Sequence, residues 1–221
     1  MNAWYQYIGW VVAAGILGFA LSMIFAGFLR LHRNLYLIPY IGISGAFLYA
    51  YLRWSGLSIG ETLRHNRVFG LVGAILLALF TIKNVLSQPV STRSSGNSLL
   101  LDLLWSGVAY GLTDALLLTV LPVLATWQAF TLLHWTAAWP GRLLAGIIAL
   151  LASVLVTSAY HLGYPEYRGN GMRGPVIGNT TMTLGYLLTS NPLAAILSHV
   201  AMHIAAVLRG PASVMQLPPH Y

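Results

Sequence analysis

The chain alternates long apolar runs with short polar breaks. The first run, Tyr5–Leu29, stops at Arg30 and Arg33. The second, Leu35–Leu52, carries Pro39 in its first turn and stops at Arg53. Trp54–Arg67 contains GETLRHNR, is too polar to span a bilayer, and reads as a short amphipathic piece at an interface. Val68–Leu86 is the third run, with Lys83 near its end, where a long amine reaches the headgroups. SQPVSTRSSGN (Ser87–Asn97) is the one clear loop of small polar residues. The fourth block, Ser98–Phe130, contains Asp102, Asp114 and Pro122 and is too long for one simple span. It predicts a helix ending near Pro122, then a Trp-rich interfacial segment, TWQAFTLLHWTAAWPGR. Leu143–Leu162 is the fifth run, followed by the polar connection GYPEYRGNGMRG. Pro175–Thr189 and Pro192–Leu208 are the last two, split at SNP, and the proline-rich tail GPASVMQLPPHY is expected to be extended.

Composition turns these runs into membrane spans. The chain is 57% hydrophobic and 7% charged, where soluble domains carry roughly 25% charged residues. Several runs reach the ~18–20 residues a helix needs to cross a bilayer. The expected fold is all-α: a polytopic integral membrane bundle of about seven to eight transmembrane helices. The first run is too long for a signal-peptide core and lacks a basic leader, so it is expected to remain a spanning helix. The polar loop suggests two units, 1–97 for anchoring and packing and 98–221 as the core. The absence of cysteine excludes disulfides, thiolate metal sites and a cysteine nucleophile. The net charge of +7 comes from single basic residues at the ends of apolar runs, not from a cluster suited to nucleic acid. Connections after the odd-numbered spans hold more Lys and Arg, which favours a cytoplasmic C-terminus. The expected location is the cytoplasmic membrane of a prokaryote, with membrane lipids as surroundings.

Chemistry has few places to reside. Of the four carboxylates, Glu61 and Glu166 lie in polar connections and Asp102 near a loop. Asp114 lies deeper, and an acid at membrane depth is costly unless partnered. His161 closes the fifth span, and His199 and His203 lie four apart on one face of the seventh. Asp114, His161, His199 and His203 could therefore converge from three helices. One acid with several imidazoles can activate water and stabilise an oxyanion, or hold a divalent metal such as zinc or iron. Each histidine can also serve as an interhelical hydrogen-bonder. His161 stands at the far end of its span and His199 only about two turns into a parallel one. They meet only if the seventh helix starts deep. His32, His65, His134 and His220 fall near interfaces, and Trp127, Trp135 and Trp139 read as belt residues.

Three stretches in order, YGLTDALLLTVLP, SVLVTSAYHLGYPEYRG and GYLLTSNPLAAILSHVAMHIAAVL, resemble the CAAX-prenyl-endopeptidase and bacteriocin-processing (CPBP) family of intramembrane proteases. That family carries Glu-Glu-x-x-x-Arg, Phe-x-x-x-His and His-x-x-x-Asn on separate membrane helices. The resemblance covers roughly Leu100 to Leu208. It sets Thr113 and Asp114 where the family has its paired glutamates and Leu118 where it has arginine. Thr157 replaces the phenylalanine, His161 and His199 match the two histidines, and His203 stands in place of the asparagine. What it implies is water activation by Asp114 and His161, with His199 and His203 at the oxyanion. The substitution of Asn by His203 makes the set better suited to a metal.

Two classes of function follow. One is an intramembrane endopeptidase acting on a lipidated or membrane-tethered peptide. The other is a non-catalytic membrane subunit, packed against partner proteins through small residues such as those in GISGAF and AAGILGFA and binding a pigment, haem, lipid or metal. A transporter ranks last, because no internal repeat is visible.

Overall fold

The computed structural model describes residues 3–220. Eight helices form it, with no strand among the described residues. They are α1 (Trp4–Phe28), α2 (Arg33–Ser55), α3 (Ile59–Arg64), α4 (Arg67–Leu86), α5 (Gly96–Leu132), α6 (Trp139–Leu162), α7 (Arg173–Thr189) and α8 (Leu193–Arg209). Five are long and apolar enough to cross a membrane: α1, α2, α4, α5 and α6. α8 is a shorter apolar helix of 17 residues, and α7 has the same length. The expected all-α bundle is therefore what forms.

The packing is that of a protein surrounded by lipid. Large apolar side chains point outward, with Phe28, Val68, Trp139 and Leu188 each 71–84% exposed. The interior is rich in Ala, Ser, Thr and tyrosines, with a smaller set of Leu and Val such as Leu117, Leu118, Leu121 and Val156. Lipid tails solvate leucine as well as a protein core does, so small residues that let backbones approach decide which faces meet. Gly18 lies against Tyr160 between the parallel helices α1 and α6, and the Ser22 hydroxyl donates to the Tyr160 carbonyl at 2.6 Å. Gly70 and Gly73 seat α4 against Asn191, Thr189 and Ala194. From there α4 and α8 run side by side to their far ends, where Arg209 donates twice to the Gln88 carbonyl.

Helix ends follow local chemistry. Ser58 caps α3 by accepting from the Glu61 amide, and Gly56, at φ 68°, closes α2 with its amide on the Leu52 carbonyl. α7 ends at Ser190. Asn191 then accepts from the Leu193 amide to start α8 and donates to the carbonyls of Leu63 and His65. This buried side chain stitches the α7–α8 turn to α3.

Two local expectations are overturned. α5 does not end near Pro122 but runs for 37 residues to Leu132, taking in much of the stretch read as interfacial. At 1.5 Å per residue it is about 55 Å long, well beyond a ~30 Å hydrocarbon core. It is also the central helix, 72% buried across its apolar window against 22–33% in the other four long helices. Pro122 is tolerated because a π-helical segment, Ala115–Val120, immediately precedes it. There the hydrogen-bond ladder is already displaced, so the missing proline N–H breaks no regular α turn. The tail is not simply extended either. It folds back over the bundle, burying Val214, Leu217 and Pro218, while Arg33 donates to the carbonyls of Pro211 and Leu217.

Candidate functional site

The site is assembled by a close approach of α5 and α8. Gly107 and Gly111, four apart in GVAYG, face α8. A Cβ on Gly111 would sit 3.0 Å from Val200 Cα and 3.2 Å from His203 Cβ. Nothing larger than glycine fits there without displacing backbone, so the two helices touch main chain to main chain. Asp114 comes one turn after Gly111 and lands opposite His199 and His203 on the antiparallel α8. The turn carrying Asp114, Tyr110–Asp114, is flanked by π segments at Leu103–Ala109 and Ala115–Val120. Such insertions rotate the side chains that follow and are frequent at functional sites.

Asp114, His199 and His203 are all buried. One carboxylate oxygen, Oδ1, accepts from the Tyr40 hydroxyl at 2.5 Å. The other, Oδ2, lies 3.9 Å from His199 Nε2 and 3.7 Å from His203 Nε2. These separations exceed a hydrogen bond, so the carboxylate and the two imidazoles face one another across a gap one atom wide. No Lys or Arg pairs with Asp114 among the described residues. The Nδ1 atoms of both histidines are buried without a partner of good geometry. The Ser106 carbonyl, in the first π segment, lies near the His203 ring.

His161 does not join this trio. It is half-buried at the end of α6 and lines the same cavity of about 520 Å³, together with Asp114, Leu118, Thr157, His199 and His203. Its Nδ1 is 2.8 Å from the Thr157 carbonyl. A carbonyl only accepts, so the neutral ring carries its proton on Nδ1 and keeps its Nε2 lone pair. Of the four residues singled out in the sequence, three therefore form one tight cluster and the fourth faces the shared cavity. Thr113 turns away and donates to the Ala109 carbonyl at 2.8 Å, and Asp102 is held by Ser94 at 2.7 Å away from the cavity.

Sequence reasoning missed the tyrosines. Tyr40 stacks on Tyr36 and Tyr160, with ring centroids 5.5 and 5.2 Å apart, and Tyr110 stands edge-on to His203 at 4.7 Å. The hydroxyls of Tyr36, Tyr160 and Tyr164 form a closed triangle with sides of 2.6–3.2 Å. Tyr110 bonds to Tyr160 at 2.9 Å and to the Pro218 carbonyl of the tail at 3.3 Å. A signal existed: Tyr36/Tyr40 and Tyr160/Tyr164 each share the spacing of four that marked His199/His203. Also unforeseen is the hub at Ser153. Its hydroxyl donates to the Leu118 carbonyl at 2.7 Å, accepts from Asn179 at 2.8 Å, and lies 2.9 Å from the Thr183 hydroxyl. This fixes α6 and α7 to the second π segment, directly after Asp114.

The segment 1–97 thus supplies Tyr40 to a site otherwise built from 98–221. No protein-family model, curated protein or solved structure matches the chain.

Proposed function

We propose that this chain is an intramembrane hydrolase of the CPBP type, cleaving an amide bond of a membrane-tethered peptide with Asp114 at its centre. The observation that carries the reading is the one-atom gap between Asp114 Oδ2 and the two Nε2 atoms, opening on a cavity inside a lipid-facing bundle. A water on the cavity side of this gap, off the plane of the three atoms, donates to the carboxylate and to His203 and accepts from His199. Attack forms a C–O bond to the scissile carbonyl as the water proton passes to Asp114. His199 donates to the resulting oxyanion. Collapse breaks the C–N bond, and the proton reaches the leaving amine through His161, whose free Nε2 accepts and returns it across the cavity. The products are one carboxylic acid and one amine, with one water consumed. Tyr40 positions the carboxylate by fixing Oδ1, which leaves Oδ2 to the water.

The test is cleavage of internally quenched peptides, anchored in liposomes by an acyl or isoprenoid chain, by the purified protein. Wild type cleaves, and Asp114→Asn loses about 100- to 10,000-fold, the range for removing a general base. A folded wild-type protein that cleaves none of the anchored peptides, or an Asp114→Asn variant of undiminished rate, refutes the reading. The first result would leave the non-catalytic membrane subunit as the explanation.

A further inference from the structure

We propose that Asp114, His199 and His203 are the protein ligands of one divalent transition-metal ion, zinc or iron(II), seated between α5 and α8. The three donor atoms lie within 4.8 Å of one another, with Oδ2 at 3.9 and 3.7 Å from the nitrogens. A single atom at the centre of such a triangle is at most about 2.5 Å from each donor, and an inward shift of about 0.4 Å reaches the ~2.0–2.1 Å of a metal–imidazole bond. Side chains in contact across a glycine-lined helix pair can supply a movement of that size by rotation alone.

The spacing and the chemistry of the donors agree. Histidines four apart on a helix project two nitrogens from one face toward one point, the arrangement by which helices grip zinc. Two imidazoles and one carboxylate suit zinc or iron(II) and leave further coordination positions open. Here those positions face the cavity. Asp114 is ready for a second partner on Oδ2, because Tyr40 already occupies Oδ1 at 2.5 Å. Such an outer hydrogen bond orients a metal-bound carboxylate.

Electrostatics supplies the strongest argument. An acid at membrane depth requires a counter-charge or solvation. Asp114 has one hydrogen bond and no Lys or Arg partner among the described residues, and no Lys or Arg lines the cavity. The two buried imidazoles beside it turn Nε2 toward Oδ2 and, when neutral, bring no positive charge of their own. A dication between the three groups neutralises the carboxylate and takes the Nε2 lone pairs of both imidazoles at once. His161 lies outside the trio and is assigned no coordination bond.

The inference rests on the same three residues as the hydrolytic reading but recasts them as ligands: with the ion bound, Oδ2 and both Nε2 atoms are engaged, and polarising the water and facing the oxyanion fall to the ion's open positions on the cavity side. Metal content reports it without reference to activity. Wild-type protein, purified in detergent and dialysed against zinc and, separately, against anaerobic iron(II), is analysed by mass spectrometry for bound metal. About one ion per chain is expected to survive buffer exchange in one of the two. His203→Asn and His199→Ala are expected to lose it, and His161→Ala to keep it. Cobalt(II) substitution of the wild type reads the ligand set by its visible absorption, so the inference stays testable should a variant fail to fold. A wild type that binds none of the ions overturns it, as does a His203→Asn variant that keeps a full equivalent. An active, metal-free protein would sink this inference alone. A metal-loaded, inert one would sink only the hydrolytic reading.

Discussion

Tyr40→Phe isolates one atom of the site. The hydroxyl is 2.5 Å from Asp114 Oδ1 and fully buried. The ring stays stacked between Tyr36 and Tyr160, so no packing is lost and only the bond disappears. A hydrogen bond to a charged group contributes about 1.5–3 kcal/mol, and its loss leaves a buried carboxylate oxygen unsatisfied. The mean for hydrogen bonds between membrane helices is nearer 0.6 kcal/mol, so a loss in the larger range would report an ionised Asp114. For a chain of this size 1 kcal/mol shifts the melting midpoint by about 2–4 °C, giving an expected drop of about 3–12 °C. Tryptophan fluorescence during heating in detergent reads the shift. Tyr49→Phe, at a position 66% exposed, is the control and should not move the midpoint. In an Asp114→Asn background the acceptor is a neutral amide, and Tyr40→Phe should cost only about 0.5–1.5 kcal/mol. Equal shifts for Tyr40→Phe and Tyr49→Phe, or an undiminished effect of Tyr40→Phe in that neutral background, would refute the charge-assisted bond.

Two further outcomes follow from the packing and the charge distribution. Gly111→Val should destabilise by about 1–3 kcal/mol through overpacking, since its Cβ would start 3.0 Å from Val200 Cα. Gly146→Ala, with nothing within 4 Å of the new Cβ, should leave the melt unchanged or raise it. The bundle end that carries Arg30, Arg33, Lys83, Arg93, Arg168, Arg173 and Arg209 holds most of the 11 basic residues, while Arg53, Arg64, Arg67 and Arg142 lie at the other. The first end should therefore face the cytoplasm. Because the chain has no cysteine, an impermeant maleimide applied to intact cells can read this directly. It should label Ser58→Cys and spare Ser95→Cys, and the reverse pattern would invert the topology.

The sequence by itself determined the class of molecule. Apolar runs of spanning length with almost no charge leave the backbone one way to satisfy its hydrogen bonds in lipid, the helix. Run positions follow from the same logic, and so does the pairing of His199 with His203, because a separation of four is a property of a single helix. Asp114 was legible for a similar reason, as an acid deep in an apolar block. The course of α5 was not. Two π segments flank Asp114 and shift the side-chain register, so neither the apolar period nor Pro122 marks where that helix ends. Which polar groups meet was also decided only by packing. Glycines at 107 and 111 bring α8 close enough for Asp114 to face both imidazoles, whereas His161 stops short of them at the end of α6. Tyr40 reaches Asp114 across 74 residues of chain, and no local pattern encodes a bond of that range. It follows from the stacking of helices whose outer faces lipid leaves indifferent and whose small, polar inner faces choose their neighbours.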